Sequence, residues 1–258
     1  MGARMDGKVV IITGAGSGIG QAAAVRVAEE GGHVVIIGRR QGALDETAGL
    51  IKTAKKGSVE TLALDVSDLD KYAAAIADVA KRHGRLDGLV NNAMSVGVGS
   101  VIETTLEAWR HDFLVNSDAV FIGTKEALRV MIPQKRGSIV NISSLNGVKA
   151  MPYMASYSAS KAALIMLSEV AAMEAAPHGV RVNAIAPGQI ATPAVVEFMK
   201  ADQERASRSA AAIPMGRSGN PVELGNAVLY LLSDESTYTT GICLCVDGGK
   251  AAQLYVPM

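Results

Sequence analysis

Short runs of Val, Ile and Leu alternate along most of the chain with longer stretches in which apolar and polar residues are mixed at helical spacing. Seven runs predict strands: 8–13 (KVVIIT), 33–38 (HVVIIG), 59–65 (VETLALD), 86–92 (LDGLVNN), 138–144 (SIVNISS), 180–187 (VRVNAIAP) and 242–247 (ICLCVD). Several are apolar at consecutive positions, as strands covered on both faces are. In 17–31, Ile19, Ala23 and Val27 share one helical face while Arg26, Glu29 and Glu30 lie mostly elsewhere. Ser67 followed by Asp70 predicts a capping box for the helix after the third run, and Gly84 its end. Strands alternating with helices predict an α/β fold, a doubly wound parallel sheet with helices on both faces. No linker or repeat divides the chain, so one domain is expected over 1–258, and its largest insertion, around 188–217, is a candidate lid.

Composition narrows the function classes. The 258 residues are 49% hydrophobic, enough for a substantial core, and the formal net charge is zero with both signs scattered, so nucleic acid is not an expected partner. The N-terminus carries no long apolar region and no stretch reaches membrane-spanning length, which predicts a cytoplasmic protein with no membrane partner. Cys243 and Cys245 stand two apart on a predicted strand, poorly placed to bridge each other, and are expected to pack near the core or in a subunit contact. His33, His83, His111 and His178 form no ligand-spaced pair, so no metal site is expected.

Two clusters point to chemistry. The first run leads directly into TGAGSGIG, where Gly14, Gly16, Gly18 and Gly20 allow a tight turn and a helix N-terminus offers unpaired amides to a pyrophosphate. At the end of the second run, where an acid commonly meets the ribose of NAD, the chain reads Gly38, Arg39, Arg40; guanidinium groups there suit the 2′-phosphate of NADP, with NAD the lesser expectation. Tyr157 and Lys161 are the second cluster, one helical turn apart, with Ser144 thirteen residues upstream. An ammonium beside a phenol would stabilise the phenolate and make it a usable proton donor and acceptor at a carbonyl or alcohol.

With TGAGSGIG, Asp65, the NNA of 91–93, Asn116, Ser144, Tyr157-x-x-x-Lys161 and the PG of 187–188 all in order, the chain resembles the short-chain dehydrogenase/reductase family over nearly its whole length, ending in TGICLCVDGG. The resemblance implies a single Rossmann domain of about seven strands and nicotinamide-dependent hydride transfer between alcohols and carbonyls. It assigns Tyr157 as acid/base, Ser144 as the group that fixes the reacting oxygen, Lys161 as the residue that lowers the phenol's pKa and binds the nicotinamide ribose, and Asn116 as holder of a water relay to solvent. It implies a cofactor site of Gly14, Ser17, Gly18, Ile19, Gly20, Arg39, Arg40, Asp65, Val66, Asn92, Ala93, Tyr157, Lys161, Pro187, Gly188, Ile190 and Thr192. Within it Asp65 meets the adenine and Thr192 the carboxamide, and nearby Asn91 helps hold the central strands.

The family commonly has Gly after NNA, where this chain has Met94. Met94, Val96, Leu145, Met151, Tyr153, Val195, Val196 and Met199 are the expected substrate pocket, and their apolar character predicts a neutral, fairly hydrophobic ketone or secondary alcohol. The helix after Lys161 is apolar around most of its circumference, which fits the homotetramers common in the family. The expected activity is an NADP(H)-dependent carbonyl reductase or alcohol dehydrogenase. A 3-oxoacyl-[acyl-carrier-protein] reductase is the enzymatic alternative, weakened because His178 stands where compared relatives carry a basic residue. An NADP redox sensor is the non-enzymatic one.

Overall fold

The computed structural model describes residues 3–54 and 56–253. All seven predicted runs form strands: β1 (Val9–Thr13), β2 (His33–Gly38), β3 (Ser58–Ala63), β4 (Gly88–Asn91), β5 (Gly137–Ile142), β6 (Val180–Pro187) and β7 (Cys243–Val246). They make one parallel sheet in the order β3-β2-β1-β4-β5-β6-β7. Consecutive apolar residues in β1 point alternately to the two faces. Val10 and Ile12 join a core with α1 (Gly18–Glu29), α2 (Gln41–Ala54) and α9 (Pro221–Leu232), whereas Val9 and Ile11 join a second core with α3 (Leu69–His83), α5 (Ala119–Gln134) and α6 (Ala155–Ala175).

Winding reverses between β1 and β4, which are neighbours although a long crossover separates them in sequence. The carboxyl ends of these strands therefore part to leave a crevice, the usual ligand position in such sheets. A buried polar chain braces it: Tyr72 donates to Asn91 Oδ1 (2.7 Å), Asn91 to Asn141 Oδ1 (2.8 Å) and Asn141 to Ser168 Oγ (2.9 Å). This is the strand-holding expected of Asn91, extended by three residues not singled out in the sequence.

Some local expectations are corrected. The cap of α3 is Asp68, whose carboxylate accepts from the Lys71 amide, while Ser67 instead turns its amide and hydroxyl to Asp65 Oδ1; Gly84, at φ 67°, ends the helix as expected. α4 (Leu106–Phe113) runs into α5 through a π-helical turn, Leu114–Asp118, and such turns often mark functional positions. β7 is an edge strand: Cys243 packs beside Val120, Leu164 and Ala184, Cys245 is exposed in the single chain, and partial desolvation raises both thiols above their ordinary pKa. The insertion after β6 holds α7 (Pro193–Ala201) and α8 (Gln203–Ala211). No helix among the described residues is long and apolar enough to cross a membrane.

Candidate active site

A cavity of about 660 Å³ opens over the carboxyl ends of β1, β2, β4, β5 and β6. Its floor is the glycine turn. Gly14 has φ 64°, and a Cβ there would lie 2.9 Å from Ala93 Cα, so only glycine lets the turn sit against the strand that follows β4. At Gly20 a Cβ would fall 2.4 Å from the Gly14 carbonyl oxygen, closing the approach of helix to turn. Thr13 Oγ1 accepts from the amides of Asn92 and Ala93, and the Asn92 side chain returns to the Thr13 and Gly14 carbonyls. Ser17, the N-cap of α1, makes no side-chain cap, so the first amides of that helix face the cavity unmet. A shape without side chains and a row of free amides fits the pyrophosphate of a dinucleotide.

Arg39 and Arg40, both exposed, line the cavity just past β2, and no acid stands there. Asp65 and Val66 line the same end. Burial works against ionisation of Asp65, but the Ser67 hydrogen bonds, Arg39 and His111 together hold its pKa below the ordinary value. His111 is a wall residue that sequence reasoning missed, since nothing in its spacing links it to Asp65.

At the other end stand Tyr157, Lys161 and Ser144. One turn apart on α6, Tyr157 is 7% and Lys161 1% exposed. Ser144 ends the β5 connection and caps the short turn Leu145–Gly147, its Oγ accepting from the Asn146 amide at 3.2 Å. That turn is pressed onto α6: the Ser143 hydroxyl donates to the Lys161 carbonyl (2.9 Å), and a Cβ on Gly147 would lie 2.8 Å from the Lys161 backbone. Lys161 Nζ donates to the Ile142 carbonyl at 2.8 Å and lies 5.9 Å from the Tyr157 ring centroid.

The electrostatics differ from the expectation that Lys161 lowers the Tyr157 pKa. Burial raises the phenol, Ser144 draws it back and Asp112 raises it further. Burial also pushes Lys161 down to about 7, against the attraction of Asp112, so near neutral pH the ammonium is only part-charged. Asp112, 1% exposed on α4, is a second missed residue. Its Oδ2 accepts from the Ser156 hydroxyl (2.6 Å) and the Gly97 amide (2.9 Å), tying the segment after β4 to the start of α6.

Asn116 sits within the π-helical turn, fully buried behind the wall rather than on it. Its amide donates to the Ser95 carbonyl (2.8 Å) and Ser160 Oγ (3.0 Å), and Oδ1 accepts from the Ser95 amide (3.0 Å). Both amide hydrogens are thus directed to protein atoms, and the side chain braces Ser95 against α6.

Of the remaining cofactor residues, Gly18, Ile19, Pro187, Gly188, Ile190 and Thr192 line the cavity; Gly20 lies one layer behind. Thr192 begins α7 without capping it, so its hydroxyl stays available. Of the expected substrate pocket, Met94, Val96 and Val195 are walls, and Met94 Sδ stands 4.0 Å from the Tyr157 hydroxyl. The other five are not. Val196 turns to a separate cleft between α1 and α9, Met199 Sδ receives Gln189, and Met151 Sδ receives Asn146. Tyr153, at φ 66° and 66% exposed, points to solvent, and Leu145 lies outside the wall. Helical and loop geometry sends alternate residues away from a wall, which adjacency in sequence does not reveal.

Comparisons with known proteins agree with this geometry. The profile of the family described as enoyl-(acyl carrier protein) reductase matches residues 14–251. The chain is 39% identical over 248 residues to a 3-oxoacyl-[acyl-carrier-protein] reductase of Thermotoga maritima, covering 95% of this chain and 98% of that one. It is likewise 39% identical over 249 residues to a 2,5-dichloro-2,5-cyclohexadiene-1,4-diol dehydrogenase of Sphingobium indicum, covering 96% and 98%. Among solved structures, levodione reductase superposes with a TM-score of 0.92 at 33% identity, over 97% of this chain and all of that one. NAD+-bound xylitol dehydrogenase does so at 0.90 and 32%, over 95% of this chain and all of that one. An Agrobacterium tumefaciens structure described as a 2-deoxy-d-gluconate 3-dehydrogenase with bound NADP gives 0.88 and 33%, over 96% and 98%.

Proposed function

The chain belongs to the short-chain dehydrogenase/reductase family and is an enzyme of the alcohol–carbonyl type, and from that premise we propose an NADP(H)-dependent enzyme that interconverts a neutral, fairly hydrophobic secondary alcohol and its ketone. The observation that carries the reading is the meeting of Tyr157, Ser144 and Lys161 at one end of a cavity whose other end holds the glycine turn and Arg39. A nicotinamide cofactor, when bound, supplies or accepts the hydride. The amides of Gly18, Ile19 and Gly20 would hold its pyrophosphate, Asp65 and Val66 its adenine, Asn92 and Ala93 its ribose, and Thr192 its carboxamide.

In the reductive direction Ser144 donates a hydrogen bond to the carbonyl oxygen and holds it beside the phenol, and Tyr157 transfers its proton to that oxygen as the alcohol forms. Burial of the phenol keeps that proton in place at neutral pH, which favours reduction. Oxidation needs the phenolate, so its rate should climb with alkaline pH while that of reduction falls. Initial rates in both directions from pH 6 to 10 check this; parallel profiles would remove Tyr157 as the group that changes state.

Arg39 and Arg40 support NADP over NAD. Arg39→Asp is expected to weaken NADP about tenfold or more, the worth of a charge-assisted pair, and to improve NAD. Titration of both cofactors by protein fluorescence reads the result, and tighter NAD binding by the unaltered protein would defeat the preference.

Apolar Met94, Val96 and Val195, with Val98, Val101 and Ile102 exposed on the adjoining segment, support an uncharged substrate. A panel of ketones and alcohols, read by nicotinamide absorbance, tests it. Met94→Gly should shift that panel toward bulkier ketones, because the thioether fills space beside the Tyr157 hydroxyl. An unchanged profile would mean Met94 takes no part in selection.

The Thermotoga relative favours a second reading, a 3-oxoacyl-carrier reductase. Lys135 and Arg136, which could meet an acidic carrier, stand just before β5 at the end of the sheet away from the cavity mouth, and His178 stands just before β6, so these positions do not support it. Activity on acyl-carrier thioesters but not on free ketones would reverse the order. The exposed Met166, Val170 and Met173 on α6 support a homotetramer, in the cytoplasm as read above.

A further inference from the structure

His33, Glu60 and His83 come together at the end of the sheet remote from the cavity, although fifty residues separate the two histidines. His33 opens β2, Glu60 lies within β3 and His83 ends α3. Glu60 Oε1 lies 3.0 Å from His33 Nε2 and 2.8 Å from His83 Nε2, and the two rings stand 4.5 Å apart between centroids. Its other oxygen, Oε2, accepts from Arg82 at 2.8 Å, which fixes Oε1 between the rings. Arg82 is itself partly neutralised by Asp78 at 2.7 Å. His33 Nδ1 meets Ser58 Oγ at 2.6 Å. The three side chains are 21%, 33% and 22% exposed, so an ion can reach them from solvent.

We propose that this cluster is a binding site for one divalent ion of the zinc class, held by His33 Nε2, His83 Nε2 and Glu60 Oε1, with water completing the shell. The ligand atoms all lie within 4.8 Å of one another. Two imidazoles and a carboxylate suit Zn²⁺, Co²⁺, Ni²⁺ or Cu²⁺; Mg²⁺ and Ca²⁺ require oxygen shells that these residues do not offer. Bonds of about 2.0–2.1 Å put tetrahedral neighbours about 3.4 Å apart, so the two Glu60 contacts need to widen by about half an ångström while the two nitrogens, within 4.8 Å of each other, settle to the same spacing by side-chain rotation. The ion takes the place of the Nε2 protons now shared with Oε1, and each neutral ring keeps one proton, which moves to Nδ1, at His83 by exchange with solvent. At His33 the proton passes to Nδ1, which donates to Ser58 Oγ as the serine hydroxyl turns away. That gives the ligand the outer hydrogen bond typical of zinc-bound histidine.

Because the ligands come from β2, the edge strand β3 and α3, the ion clamps one margin of the sheet. His33 stands at the opposite end of β2 from Arg39, so the clamp stabilises the fold and leaves turnover unchanged.

The test uses tag-free full-length protein stripped with chelator, titrated with Co²⁺ by visible absorption and with Zn²⁺ by calorimetry and thermal melting. One equivalent per chain is expected, with Co²⁺ displaced by Zn²⁺, a melting midpoint raised by Zn²⁺ but not by Mg²⁺, and unchanged turnover. His83→Gln and Glu60→Gln should each weaken Zn²⁺ by about tenfold or more. His33→Gln reads the same ligand set should either of these fail to fold, which circular dichroism reports. Absence of saturable one-equivalent binding overturns the site. So does affinity unmoved in the variants, which would place the ion elsewhere, at Cys243 and Cys245 for example.

Discussion

Tyr157→Phe is expected to lower carbonyl reduction by about 10²- to 10⁴-fold, the range set by a positioned general acid, with cofactor affinity unchanged. The change removes one hydroxyl and keeps the ring that packs in the wall, so the fold and the glycine turn are untouched. The measurement is single-turnover rate beside cofactor titration. Equal loss of binding and rate would mean the ring only shapes the cavity. Retained turnover would mean another group delivers the proton. Loss confined to turnover separates a catalyst from a redox sensor.

Lys161→Met carries the second large effect, and it runs in two directions. Turnover should fall by about 10²-fold or more, because the ammonium that supports charge at the reacting oxygen is gone. Stability should rise. Folded Lys161 holds its proton only below about 7, whereas the unfolded side chain holds it to 10.5. Between these values the unfolded chain binds more protons, so wild-type stability increases with pH from about 7 toward 10 and is penalised in full below 7. The penalty is on the order of 5 kcal/mol for a wholly buried group. Methionine removes it and loses the hydrogen bond to the Ile142 carbonyl, which returns about 1–3 kcal/mol. Urea denaturation at pH 6 and pH 9 checks the sign: the variant should be the more stable at pH 6, with a flatter pH dependence. A wild type equally stable at both pH values, together with a weakened variant, would show that Lys161 is not desolvated.

The elements were legible because most strand runs are rich in Val, Ile and Leu and lie between Gly, Asn or Asp, a signal that survives in one dimension. The catalytic pair was legible for the same reason, since four residues on a helix fix a shared face. What escaped depends on contacts between distant segments. Asp112 reads as one acid on a short amphipathic helix, and nothing local says that Gly97 and Ser156 close on it. His33 and His83 looked unpaired until β2 and α3 were laid side by side. Leu145, Met151, Tyr153, Val196 and Met199 do not line this cavity, because nearness in sequence does not give direction. The cap of α3 shifted by one residue because Asp65 claims Ser67 first.

The reversal of winding between β1 and β4 has a consequence for how the chain acquires its activity. The turn after β1 is completed by Asn92 and Ala93, nearly eighty residues later, and closed by Thr192, a further hundred on. No short contiguous stretch of the chain contains both ends of the cavity. During synthesis, an N-terminal portion ending before β6 carries the glycine turn and Tyr157 without the residues from Pro187 to Val195 that line the same cavity. Competence therefore arrives in one late step, after the non-local pairings that make parallel sheets slow to form.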